Sequence, residues 1–149
     1  MKAVEPGESR LMLAEDCERF AEFAVPNKAE YALVGSLDGI SLLRRDAQTL
    51  VSDEDRKAYQ RFQPGPSTQD LSANAILDRG RLVGLWEYDT ATESIAWMSF
   101  APANKAMKNA VRRTEEYIRA QLGDARSFGL DSPKSRAPKV EALRQAAGR

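Results

Sequence analysis

The chain has 149 residues, 42% hydrophobic and 30% charged, with 22 basic and 22 acidic side chains, one cysteine and no histidine. Such a chain fits one globular domain burying roughly 70% of its unfolded surface, with no apolar run near the ~18 residues of a membrane span, no secretory leader in MKAVEPGESR and no intrachain disulfide. The missing histidine excludes Ser-His-Asp and Cys-His catalysis, histidine bases and most zinc sites, leaving carboxylates, Lys, Tyr or an unaided Ser for any chemistry.

Residues 1–10 are polar and read as a frayed terminus. Leu11 to Val25 reads as a helix, with Leu13, Phe20 and Phe23 apolar and Glu15, Asp16, Glu18 and Glu22 on the wet side. Cys17 within it reads as a small packing residue rather than a nucleophile. Tyr31 to Val34 is a short buried strand. A turn, Gly35 to Gly39, hands over to a helix from Ile40 to Val51. Asp38 stands where an N-cap is wanted, and the alternative is an acid poised to hold a ligand. Arg45 suits either a nearby acid or a phosphate. Ser52-Asp53-Glu54-Asp55 resembles a capping box and opens a short helix to Phe62. Gln63 to Thr68, rich in Pro and Gly, is a loop inside the domain.

Three strands follow: Asn74 to Asp78, Arg81 to Tyr88 and Ser94 to Phe100. Arg79-Gly80 is a two-residue hairpin turn, because Gly supplies the positive φ. Asp89 to Glu93 is the longer second turn. Alternation places Leu82, Gly84, Trp86 and Tyr88 on one face, with Val83, Leu85 and Glu87 on the other. In the third strand Ile95 and Trp97 oppose Ala96, Met98 and Phe100. Both faces carry apolar residues, so helices are expected on each side.

Ala103 to Leu122 is the longest helix. Met107, Ala110, Val111, Thr114, Tyr117, Ile118 and Leu122 form its apolar side, and Lys105, Lys108, Arg112 and Arg119 lie opposite. Glu115 and Arg119 form a favourable i,i+4 pair. Gly123 closes the helix. Residues 124–149 read as a basic C-terminal extension: an irregular stretch tacked down by Phe128 and Leu130, then a docking helix from Lys139 to Ala147, begun by Pro138 and seated through Val140 and Leu143.

Charge is uneven along the chain. Residues 1–30 and 31–100 each carry −3, whereas 101–149 hold eleven basic residues against five acidic, +6. A basic third suits an anionic partner, and its plainer reading is a solvated helix face. Phosphate-cradling glycine motifs and calcium-loop acid ladders are absent from the sequence. Glu87, Asp89 and Glu93 gather near the second turn, where acid–base work or Mg²⁺ binding competes with plain solvation. Trp86 and Trp97 suit base stacking or the core.

The segments YALVGSLDGISLLRRDAQTLV, AILDRGRLVGLWEYD and SIAWMSF resemble the C-terminal part of the winged-helix DNA-binding proteins related to AlkZ (YcaQ)-like DNA glycosylases. The positions that carry it are Leu37-Asp38, Arg44-Arg45 and Arg81-Leu82-Val83-Gly84, within residues 30–122. The resemblance implies a member without its catalytic half. Excision there is assigned to a Gln-x-Gln or Gln-x-Asp motif, and none of the glutamines here forms one.

The fold expected is therefore α+β: a small antiparallel sheet, a three-stranded meander plus one short extra strand, flanked by helices and associated with winged helices. The expected function is a non-catalytic DNA-binding module in the cytoplasm, with no cofactor. Its phosphate contacts would be Arg44, Arg45, Arg79, Arg81, Lys105, Lys108, Arg112 and Arg119, with the Arg79-Gly80 tip as the wing. One alternative is an interaction protein whose Trp86, Tyr88 and Trp97 face packs on a partner chain or a second copy. Another is one subunit of a split glycosylase.

Overall fold

Arg79 and Gly80 turn the chain back with two successive positive φ angles, 50° and 82°. This is the backbone of a type I′ turn, whose twist matches that of the strands on either side. The structure, a computed structural model, describes residues 2–3, 11–40, 47–62, 71, 73–126 and 131–147. The strands are β1 (Lys2–Ala3), β2 (Leu11–Met12), β3 (Tyr31–Val34), β4 (Asn74–Asp78), β5 (Arg81–Asp89) and β6 (Ser94–Ser99). The helices are α1 (Asp16–Glu22), α2 (Arg56–Phe62), α3 (Lys105–Tyr117) and α4 (Pro133–Ala147). Strands β3 to β6 form one antiparallel sheet in sequence order, while β1 and β2 make a separate two-residue pairing.

Helices cover both faces of this sheet, as its two apolar sides demand. On one face Ile76, Trp86, Tyr88 and Ile95 pack with Met107, Val111 and Ile118 of the α3 region. On the other, Ala75, Leu77, Leu82, Leu85, Ala96 and Met98 meet Leu50, Tyr59, and Val140 and Leu143 of α4. Tyr59 also approaches Phe100 edge-on, with ring centroids 6.1 Å apart. Burying Leu82, Leu85 and Leu143 contributes about 1.5–3 kcal/mol for each side chain. Among the described residues no helix is long and apolar enough to cross a membrane.

The alternation expected in β5 holds from Gly84 to Tyr88 and fails before it. Ile76 pairs with Gly84 but Leu77 pairs with Leu82, so Val83 is an extra residue, a β-bulge. Leu82 therefore joins Leu85 on the α4 face, and Val83 packs on the α3 face. Gly84 sits where β6 comes closest. A Cβ there would lie 2.4 Å from the Met98 carbonyl oxygen and 3.2 Å from the Ser99 Cα, which only glycine permits.

Several helix boundaries differ from expectation. Leu11 and Met12 pair with β1 instead of opening a helix, and α1 spans only seven residues, none of them buried. Leu13, Phe20 and Phe23 have the helical spacing, but among the described residues no core faces them and each is more than half exposed. Of the helix expected over 40–51, residues 41–46 lie outside the described residues, and Ala47–Leu50 is a short 3₁₀ turn. Helix α4 begins five residues before Pro138. Ser132 caps it by accepting the Ser135 N–H at 3.1 Å, Pro133 takes the first-turn position, and Pro138 falls inside. The Ser52–Asp55 box forms in part: the Ser52 Oγ accepts the Asp55 N–H at 3.2 Å and donates to the Asp55 carboxylate at 2.9 Å.

Helix α3 starts at Lys105, two residues later than the expected Ala103, behind an Asn104 cap. The Asn104 side chain accepts the Met107 N–H at 2.9 Å and donates to the Tyr31 hydroxyl at 2.7 Å, fastening the helix start to β3. The last turn, Ile118–Leu122, widens into a π-helix, with the Gly123 N–H reaching the Ile118 carbonyl at 2.8 Å. Gly123 then leaves in the left-handed region, φ 70°.

Candidate nucleic-acid interface

Three of the cations singled out in the sequence share one surface. Lys105, Lys108 and Arg112 recur at i, i+3 and i+7 on the exposed side of α3, facing away from Met107, Ala110 and Val111. Neither lysine meets a carboxylate among the described residues, and Arg112 reaches Glu116 only at 4.0 Å. Arg119 continues the same side, but it binds Glu115 at 2.9 Å and the Glu93 carbonyl at 3.0 Å.

The hairpin-tip arginines have contacts of their own. Arg79 grips the Asp78 carboxylate with two nitrogens, at 3.1 and 3.0 Å, and donates to the Pro26 and Asn27 carbonyls. It acts as a clasp between the tip and the segment leading into β3. Burial alone would raise the Asp78 pKa, but hydrogen bonds from Arg79 and the Glu30 N–H hold it below the usual carboxylate range. Arg81 borders the Thr49–Asp53 stretch on the α4 side of the sheet. Arg44 and Arg45 lie outside the described residues. The tryptophans serve the core: Trp86 is buried, its indole N–H donating to the Ala75 carbonyl at 3.1 Å, and Trp97 is half-buried under α3. With Tyr88 buried too, α3 covers this sheet face over both residues and leaves an opening beside its C-terminal half.

The carboxylates near the second turn have separate structural duties. Asp89 organises the turn, accepting the Ala91 N–H at 2.9 Å, the Thr92 hydroxyl at 2.8 Å and Arg144 at 2.7 Å. Glu93 adopts φ 49° and offers its carbonyl to Arg119. Glu87 is buried, 3.8 Å from the equally buried Arg136, and accepts from the Tyr88 N–H at 3.2 Å. Among the described residues no three acids, cysteines or histidines gather as a metal site.

Arg136 is the residue that sequence reading passed over. Counted with the charged tail, it is instead 1% exposed. It pairs with Asp124 at 2.9 Å and donates to the Tyr88 and Ala125 carbonyls, locking α4 to β5 and to the chain after α3. Burial raises the Glu87 pKa, and the hydrogen bond from the Tyr88 N–H, with the nearby Lys139 and Arg136, offsets this only in part. The folded state therefore holds a proton on Glu87 more tightly than the unfolded chain does. The penalty for ionising it grows as pH rises from the unfolded pKa through the higher folded one. Glu87→Gln is expected to be more stable than the parent at pH 7, with the gain vanishing near pH 4, since Arg136 keeps Asp124. Urea denaturation at both pH values checks this, and a constant difference would refute it.

The chain matches no protein-family model, no curated protein and no solved structure.

Proposed function

We propose that this chain is a non-catalytic module of the cytoplasm that contacts double-stranded DNA along its phosphates, weakly and with little regard for sequence. The observation that carries the reading is the outward side of α3. Lys105, Lys108 and Arg112 span about 10 Å along the helix at 1.5 Å per residue, they are exposed, and the lysines are unopposed by acid among the described residues. Point charges so placed suit a row of phosphates rather than base edges. The resemblance to the C-terminal part of AlkZ-like glycosylases supports the same partner. Excision chemistry is no part of the proposal, because the chain holds no Gln-x-Gln or Gln-x-Asp motif.

Fluorescence anisotropy with a short labelled duplex tests it. Binding at micromolar or weaker affinity is expected near 50 mM salt, with log K falling against log salt at a slope of about −2.7 for three neutralised phosphates. The triple variant Lys105→Ala, Lys108→Ala, Arg112→Ala should lose this binding while keeping its circular dichroism. Equal binding by the triple variant, or none by the parent at low salt, would remove the proposal.

Protein association is the second reading, and a different observation favours it. Leu11, Leu13, Phe20, Phe23 and Val25 are all more than half exposed within one short stretch. Light scattering separates the two readings, since a monomer at every concentration speaks against self-association.

A further inference from the structure

Beside the C-terminal half of α3 lies a solvent-open groove of about 550 Å³ that the DNA reading does not use. Its size falls within the range typical of small-molecule sites, roughly 300–1,000 Å³. Leu33, Trp86 and Ile118 supply an apolar interior, and Tyr117 and Leu122 stand at its edge, 57% and 55% exposed. The π-turn shapes this edge at Leu122. By widening the last turn of the helix it interrupts the α-helical spacing that would carry Leu122 back onto the core, and π-turns often mark functional sites.

The charged lining residues are net cationic, with Asn74 and Thr114 as neutral polar neighbours. Arg113 and Arg126 both line the groove, and Asp124 is the single carboxylate among the described lining residues. Asp124 is already engaged by Arg126 at 2.8 Å and by Arg136 at 2.9 Å. Arg113 has no carboxylate partner within salt-bridge distance among the described residues. A planar guanidinium beside an apolar, aromatic-walled space is suited to a flat ring bearing an acidic group: the ring lies against Trp86 and Tyr117, and the anion takes a charge-assisted hydrogen bond from Arg113. We infer that this groove is a binding site for a small aromatic anion, of the aryl carboxylate or sulfonate class. The stripe that carries the DNA proposal is separate: Arg112 and Arg113 are neighbours whose side chains leave the helix about 100° apart.

Two fluorescent probes of nearly the same shape test the inference: 1-anilinonaphthalene-8-sulfonate and its uncharged analogue N-phenyl-1-naphthylamine. The parent protein is expected to bind the sulfonate saturably, one to one. In a Trp97→Phe background, which leaves Trp86 as the sole indole, excitation of Trp86 should sensitise the probe. Arg113→Ala, a change at an exposed position, should weaken the sulfonate roughly tenfold and leave the neutral amine unchanged. Thr114→Trp, which fills the groove, should abolish both, with near-ultraviolet circular dichroism verifying that the variant is folded. The double variant Phe20→Ser, Phe23→Ser should change nothing. Binding that disappears in the Phe20/Phe23 variant, non-saturating binding, or an equal loss of both probes in Arg113→Ala would each overturn the assignment.

Discussion

Replacing Arg136 by methionine is expected to cost about 3–5 kcal/mol at pH 7, the range for removing one partner of a buried ion pair. Methionine fills similar space, so the loss reports charge and hydrogen bonding more than volume. Without the guanidinium, Glu87 and Asp124 remain as neighbouring carboxylates, and the Tyr88 and Ala125 carbonyls lose their donor. The pH dependence identifies the cause. As pH falls toward 4, Glu87 takes up a proton and the deficit of Arg136→Met should shrink; a packing defect would persist unchanged. Arg136→Lys keeps the charge but loses the fork that reaches several acceptors at once, so its loss should lie between the two. Urea denaturation at several pH values measures all three, and an Arg136→Met variant within 1 kcal/mol of the parent would sink the account.

Gly84→Ala is the second large effect. The added methyl would meet the Met98 carbonyl oxygen at 2.4 Å, and backbone on a paired strand cannot swing aside as a side chain can. Overpacking of this kind costs about 3 kcal/mol, which for a chain of this length lowers the melting temperature by about 6–12 °C. Gly35→Ala is the control, since nothing lies within 4 Å of a Cβ there and no positive φ is required. A thermal melt of Gly84→Ala superimposing on the parent would contradict the close approach of β5 and β6.

Much of the sheet was legible because its signals are local. Arg79-Gly80 announces a tight turn through glycine chemistry, and the alternation in Ser94 to Phe100 sorts Ile95 and Trp97 from Ala96 and Met98 as the structure does. The bulge was not legible. Valine suits either face of a sheet, so nothing in Leu82-Val83-Gly84 betrays which residue is the extra one until the Leu77–Leu82 pairing is seen. Helix α1 misled for the opposite reason: its spacing is amphipathic, but spacing states which side is apolar and not whether anything covers it.

Electrostatics divided along the same line. The Glu115–Arg119 pair follows from i,i+4 spacing and forms at 2.9 Å. The clasp of Arg79 on Pro26 and Asn27 spans more than fifty residues, and the reach of Arg136 to Tyr88 spans 48. No pattern in a window of sequence reports contacts at such separation. Of the arginines read as exposed cations, Arg136 is therefore buried and Arg79, though exposed, is committed to Asp78, Pro26 and Asn27, and the proposed interface narrows to the cations of α3 that no acid holds.

The placement of α4 has a consequence for biosynthesis. Because its Val140 and Leu143 complete the packing over Leu82, Leu85 and Met98, a nascent chain that has already paired β3 to β6 still shows one oily side to its surroundings until residues 133–147 have left the ribosome. During that interval the half-built protein is a natural client for a holding chaperone, and stalling translation just short of Pro133 should yield an aggregation-prone intermediate rather than a smaller native one.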